Sequence, residues 1–442
     1  MEILQRRYVW IPILIVLSVI IIGVSSYFVT HQNAPQQRPQ NYLDVFPISK
    51  QPQVPSQMTT TSLSAVPPAA FLYSRNNDPT GNDRSVDIVA ATDATTSLYH
   101  LSGYSSALSS ASYSRTSGRV AYVASINEPT DVPNDLPKET FLMLLDRGVL
   151  RVVSKATAQS AFVGEGLGSP VLTPDGSRIA YTYSHVSATT THVELWQIQS
   201  DGMNNKIVSS DVLPQMPLGN NGIQILGWSP DGQRIFFKPF CACDRPTATS
   251  TYSINSTDGK IEMGHDMDAV SPNGLTALLV KHSYVGADNK DISEDGIFLV
   301  DLNNGTEKRL LVDSIRSFGQ MAWSPDGTHV LYSAAHKGEI QYSGFDGSPY
   351  RSLDQYSLYT LDLSSAVEKK ILDFSKTWLP TQVFWINSRQ IAYIVDKEPN
   401  LCCTIDYRRL YTLDLSANTP SHLIDSSDSD GITILGEYHQ AH

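Results

Sequence analysis

One short motif recurs through most of this chain and sets what it can fold into. Ser229-Pro230-Asp231-Gly232 precedes Arg234-Ile235-Phe236-Phe237, and Ser324-Pro325-Asp326-Gly327 precedes His329-Val330-Leu331-Tyr332. Thr173-Pro174-Asp175-Gly176 and Ser271-Pro272-Asn273-Gly274 are further copies. Two degenerate copies align on the strand that follows: Arg119-Val120-Ala121-Tyr122 and Gln390-Ile391-Ala392-Tyr393. Proline presets φ at the first central position of a turn, Asp or Asn suits the second, and Gly accepts the positive φ that closes the loop. An apolar run lies on each side, so each turn joins two antiparallel strands. The copies start at 114, 173, 229, 271, 324 and 385, which are 59, 56, 42, 53 and 61 residues apart.

A second signature follows each turn: a strand ending in Asp, a loop, and another strand. Leu299-Val300-Asp301, Thr360-Leu361-Asp362 and Thr412-Leu413-Asp414 are the clearest cases. Four strands per unit at this spacing are the size of propeller blades. An Asp that recurs at one blade position has a structural task, bonding nearby backbone N–H groups in a turn.

A first unit, Phe71-Leu72-Tyr73, Val86–Val89 and Leu98–Leu101, lacks the turn, and the last strand, Ile432–Tyr438, lacks a partner. We expect the last strand to become the inner strand of the first blade, removing the edges that an open ring would expose. The fold class is therefore all-β, a seven-bladed β-propeller of four-stranded antiparallel blades closed by the C-terminal strand. Six or eight blades remain open, because the first unit lacks the motif.

The turn and its Arg-Ile-Ala-Tyr-like strand resemble the TolB-type, or PD40, relatives of WD40 repeats over roughly residues 70–440. That class includes periplasmic binding proteins and the propeller halves of prolyl peptidases. A propeller behind one anchor also looks like a dipeptidyl peptidase IV without its enzyme. The α/β-hydrolase domain of those peptidases and any Gly-x-Ser-x-Gly elbow are missing here, so peptidase activity is not implied.

The N-terminus adds topology. Residues 9–29 carry no charge, and 21 residues at about 1.5 Å each match the ~30 Å hydrocarbon core. Arg6 and Arg7 precede the run, and no Lys or Arg follows before Arg38. The positive-inside rule then predicts a short cytoplasmic tail (1–8), a transmembrane helix (9–29), a Pro/Gln/Ser/Thr-rich tether (30–69) and an extracytoplasmic propeller (70–442). Val24-Ser25-Ser26 would serve as a signal-peptidase site, but the apolar run continues past it and favours an uncleaved anchor. The net charge of −12 lacks the basic footprint of a nucleic-acid binder.

Candidate chemistry is sparse, and the sequence assigns no catalytic, cofactor-binding or metal-binding residue. Cys241, Cys243, Cys402 and Cys403 could form local disulfides, pair loop to loop, stay reduced, or together hold zinc. Ser426, Asp428, Asp430, Gly431 and Glu437 have part of a calcium-loop spacing but the wrong first ligand. The histidines, among them His185, His192, His265, His282 and His329, form no spaced metal motif. Insertions fall between the second and third strands of successive blades: Asn127–Lys138, Ser184–Thr191, Phe240–Ser250, Tyr284–Asp295, Ala334–Gln355 and Asp396–Arg408. Such loops emerge on one face of the ring and make a binding surface. Tyr342, Phe345, Tyr350 and Tyr356 give one of them the aromatic composition of a contact. The expectation is an envelope binding or scaffolding module for a protein, peptide or glycan. The alternative is a hydrolase or lyase at the channel mouth, which would need unrepeated Asp, Glu or His side chains converging there.

Overall fold

The computed structural model describes residues 58–60, 70–76, 85–91, 95–102, 104–105, 111–126, 138–146, 149–158, 164–186, 191–210, 212, 222–240, 251–285, 290–292, 295–342, 349–397, 407–417, 421–427 and 432–438. The predicted transmembrane helix, the four cysteines, Phe345 and residues 428–431 lie outside them. The described residues build seven antiparallel blades. From inside outward, the second blade runs Ala111–Ser114, Arg119–Ile126, Lys138–Asp146 and Val149–Ala158. The third runs Gly164–Leu172, Arg178–Val186, Thr191–Gln199 and Lys206–Ser209. The fourth runs Gly222–Trp228, Arg234–Phe240, Tyr252–Asn255 and Ile261–Met263. The fifth runs Ala269–Val270, Thr276–Lys281, Asp295–Asp301 and Glu307–Asp313. The sixth runs Arg316–Trp323, His329–Tyr342, Pro349–Asp362 and Glu368–Asp373. The seventh runs Trp378–Trp385, Gln390–Lys397, Tyr407–Asp414 and His422–Ser427.

The first blade is composite. Ile432–Tyr438 is its inner strand, followed outward by Ala70–Asn76, Ser85–Ala91 and Thr95–Ser102. Three tether residues, Met58–Thr60, add a fifth strand at its rim by pairing with Tyr99–Leu101. The closing seam with the seventh blade is both apolar and polar. Phe71 and Tyr73 share a buried cluster with Ile394, Leu410 and Ile432. The Tyr73 hydroxyl donates to Asp425 at 2.8 Å, and Arg408 Nη1 donates to the Ile432 carbonyl at 3.0 Å.

The turn motif works through its side chains. In the fourth blade Gly232 N donates to the Ser229 carbonyl at 2.9 Å, closing the turn with Gly232 at φ 64°. Ser229 Oγ donates to Asp231 Oδ1 and accepts from Arg234 N at 2.9 Å, while Gln233 N also reaches Asp231 Oδ1. The hydroxyl thus takes the Arg234 N–H across the turn, which is why Ser or Thr opens each full copy. The bond from Ser229 and the backbone bond from Gln233 hold the Asp231 carboxyl below its usual range. The second signature behaves as expected: Asp301, Asp362 and Asp414 each accept the N–H two residues on, at 2.8–2.9 Å.

Packing between blades repeats as well. Tyr73, Tyr122, Tyr181, Tyr332 and Tyr393 occupy one position of the second strand and are almost fully buried. Three of them stack on the aromatic directly opposite in the third strand: Tyr181 on Trp196, Tyr332 on Tyr359 and Tyr393 on Tyr411. Such cross-strand pairs add about 0.5–1.5 kcal/mol beyond area burial. Trp228, Trp323 and Trp385 end their inner strands and donate Nε1 to the preceding blade's Val171, Ala269 and Ala322 carbonyls at 2.9–3.2 Å. Arg178 reaches forward to the Gly232 carbonyl at 2.7 Å while stacking on Trp228.

Candidate binding face

Connections between second and third strands leave each blade on the same face. The largest departs from the expected loop. The second and third strands of the sixth blade are 14 residues each, and their ladder continues to Tyr342↔Pro349. The inner strand stops pairing at Arg316↔His336. Residues 337–342 therefore carry a two-stranded arm about 20 Å past the blade, at about 3.3 Å per residue. The insertion read as the loop Ala334–Gln355 is thus mostly β-ribbon: alternating Tyr, Ile, Arg and Leu let it extend the ladder.

Two irregularities sit at the arm's root. Gln355 is an extra residue at φ 51°, and two residues, Gly338 and Glu339, face one across the ladder. Bulges of this kind bend a ribbon and increase its twist. Gly338 is there for space: a Cβ would meet Ser352 Oγ and lie 2.6 Å from Asp354 Oδ2.

The root is fastened to the fifth blade by a buried polar cluster. Lys337 pairs with Asp295, with side-chain exposures of 6% and 1%. Asp295 also accepts from Ser283 Oγ at 2.7 Å and Ser317 Oγ at 3.3 Å, and His282 Nδ1 lies 3.2 Å away. Burial would raise the Asp295 carboxyl, but His282, Lys337 and Ser283 outweigh it and bring it down to about 2. Farther out, Arg351 Nε bonds both oxygens of Asp291 at 3.0 and 3.2 Å. Asp291 belongs to a small hairpin, Tyr284–Val285 with Asp291–Ile292, inserted in the fifth blade. The arm is a braced projection.

Of the four aromatic residues singled out in the sequence, Tyr342 and Tyr350 lie on the arm and are 59% and 47% exposed. Leu353 joins them at 43%. The Tyr350 hydroxyl donates to Gln341 Oε1 at 3.0 Å, which fixes the ring's outer edge. Tyr356 is half-buried at the root, opposite Ala335. Sequence reasoning did not find Asp295, Lys337 or Asp291. They are single, unrepeated residues, and the fifth- and sixth-blade insertions come together only in three dimensions. A preformed ribbon with exposed aromatic and aliphatic side chains offers contact area at little ordering cost.

No family model and no curated protein matches the chain. Similar solved structures include the periplasmic gluconolactonase of Pseudomonas aeruginosa, with a TM-score of 0.48 and 13% identity over 83% of this chain and 99% of that one. A prolyl endopeptidase has a TM-score of 0.45 and 12% identity over 85% of this chain, which spans 50% of that protein. A protein of Agrobacterium tumefaciens provisionally assigned as TolB has a TM-score of 0.37 and 15% identity over 66% of this chain and 87% of that one. These are likenesses of fold, and the seven blades stand on this chain's own strand pairing.

Proposed function

We propose that the chain is a membrane-anchored, extracytoplasmic propeller of the TolB-type, PD40 repeat class, and that it docks a protein partner of the cell envelope on its looped face. The braced arm carries this reading. An exposed ribbon bearing Tyr342, Tyr350 and Leu353, pinned at its root by Lys337–Asp295, presents rigid apolar area where tolerated insertions would be polar and short. The anchor and tether of residues 9–69 would keep that face in the envelope.

The test replaces residues 338–352 by Asn-Gly, keeping the Lys337↔Leu353 pair so that the hairpin closes tightly in its own register. Full-length wild-type and shortened chains are recovered from detergent-solubilised membranes, and co-purifying proteins are compared. A partner retained by wild type and lost from the shortened chain supports the reading. Equal recovery by both overturns the role of the arm, and turnover of a substrate with no partner recovered overturns the docking reading in favour of a channel-mouth enzyme.

A further inference from the structure

The two faces of the sixth-blade arm differ in charge. Across the ribbon Lys337 pairs with Leu353, Ile340 with Arg351 and Tyr342 with Pro349. Residues directly opposite each other share a face, so these six lie on one side. That side turns to the fifth blade, where Lys337 meets Asp295 and Arg351 meets Asp291. The lysine and the arginine of the arm are both engaged there.

The opposite face carries His336, Gly338, Glu339 and Gln341 from one strand and Tyr350, Ser352 and Asp354 from the other. The bulge brings Glu339 to it. Lys337 and Ile340 both belong to the fifth-blade side, so the two residues between them together oppose Ser352. Glu339 is exposed and Asp354 half-buried, and among the described residues neither carboxylate has a hydrogen-bond or ion-pair partner. Tyr350 stands at the outer end of the same face, 47% exposed, with its hydroxyl held by Gln341 Oε1 at 3.0 Å. At about 3.3 Å per residue, Asp354, Ser352 and Tyr350 follow one another at intervals of about 6.6 Å. An extended chain presents side chains to one side at the same interval.

We propose that this outward face is where the arm docks an extended, lysine- or arginine-bearing segment of its protein partner. The inference rests on the docking reading above and supplies the chemistry of the partner. Glu339 and Asp354 offer two uncompensated negative charges, and the exposed face of Tyr350 accepts a cation beside them. An acidic segment would meet like charge at both carboxylates, with the arm's own cations turned to the other side. The ribbon is already braced at its root, so contact with it costs little further ordering.

The test measures binding of a fluorescein-labelled decapeptide of alternating Lys and Thr to the full-length chain in detergent, by fluorescence anisotropy. A decapeptide of alternating Glu and Thr is its counterpart. Wild type is expected to bind the lysine peptide, more weakly as salt rises, and not the glutamate peptide. Glu339→Gln combined with Asp354→Asn should weaken binding about 3–10-fold. Tyr350→Leu should weaken it about 2–5-fold with no change in charge. Asp201→Asn combined with Asp258→Asn removes the same charge from the turn side of the ring, where each Oδ1 can still accept its backbone N–H, and should leave binding unchanged. No binding by wild type, equal weakening by the two double variants, or full binding by Tyr350→Leu would each overturn the proposal. Partner recovery from membranes separates it from the docking reading. A partner lost with residues 338–352 but kept by Glu339→Gln with Asp354→Asn overturns the basic segment and leaves docking on the arm standing. A partner kept by both overturns docking on the arm itself.

Discussion

Removing either partner of the Lys337–Asp295 pair should destabilise the protein, and the two removals should differ. Breaking a buried ion pair from one side costs about 3–5 kcal/mol, because the remaining charge is left without compensation. In Lys337→Met the Asp295 carboxylate keeps Ser283, Ser317 and His282 around it, so the cost should fall near the low end. In Asp295→Asn the Lys337 ammonium keeps only neutral acceptors, Ser283 Oγ at 2.7 Å and the Ser314 carbonyl at 3.4 Å. That cost should fall near the high end. The double variant should be more stable than the sum of the two single effects predicts. The pair also has a pH signature. Asp295 titrates at about 2 in the fold against 3.8 unperturbed. A depressed carboxyl contributes stability that is complete above the unfolded value and is lost as pH falls through the folded one. That difference corresponds to about 2 kcal/mol, disappearing between about pH 4 and pH 2. Urea unfolding of wild type and the three variants at neutral and acid pH measures both effects. Lys337→Met costing as much as Asp295→Asn, strictly additive effects, or an acid limb unchanged in Asp295→Asn would refute the reasoning.

Two further outcomes follow from particular positions. Gly232→Ala and Gly327→Ala both force alanine to φ near +64° to +70°, at about 1–2 kcal/mol each. Only at Gly232 does the new methyl also displace Arg178 from the neighbouring blade, whereas Gly327 has nothing within 4 Å. Gly232→Ala should therefore cost about 1 kcal/mol more in chemical denaturation, and equal costs would remove Arg178 as an inter-blade clamp. For topology, protease added to spheroplasts should digest the chain beyond residue 70, and full protection would exclude the extracytoplasmic placement.

The ring was legible in the sequence because its information is local. Ser229, Asp231 and Gly232 lie within four residues and determine one turn between them; four full copies, with two degenerate ones aligned on the strand that follows, count six blades. The unpartnered strand Ile432–Tyr438 identified the seventh by elimination. The polar constellations on the looped face had no comparable signal. Asp295 and Lys337 are 42 residues apart in two blades, and neither repeats. The insertion Ala334–Gln355 carried aromatic residues that marked it as a surface. Its composition did not distinguish a loop from a ribbon, because that depends on whether alternation persists past two bulges. Met58–Thr60 lies in a tether whose Pro-rich composition argues for extension, and an extended chain is what an open blade edge can pair with.

His185 and His192 show the same limit most sharply. They are seven residues apart, which on a helix would be one face two turns on and about 10 Å away, too far to meet at one carboxylate. They meet because Val186 pairs with Thr191 and His185 with His192 across the ladder. Side chains alternate with period two, so a shift of one residue in that register would send one histidine to the opposite face and away from Glu194. Hairpin register therefore decides whether this surface pairs two histidines with one carboxylate or carries three unrelated polar residues. The same variable decides whether Tyr342 and Tyr350 reach past the ring. In a propeller, where short turns fix the blades, function on the looped face is set by the register and length of the hairpins that leave it.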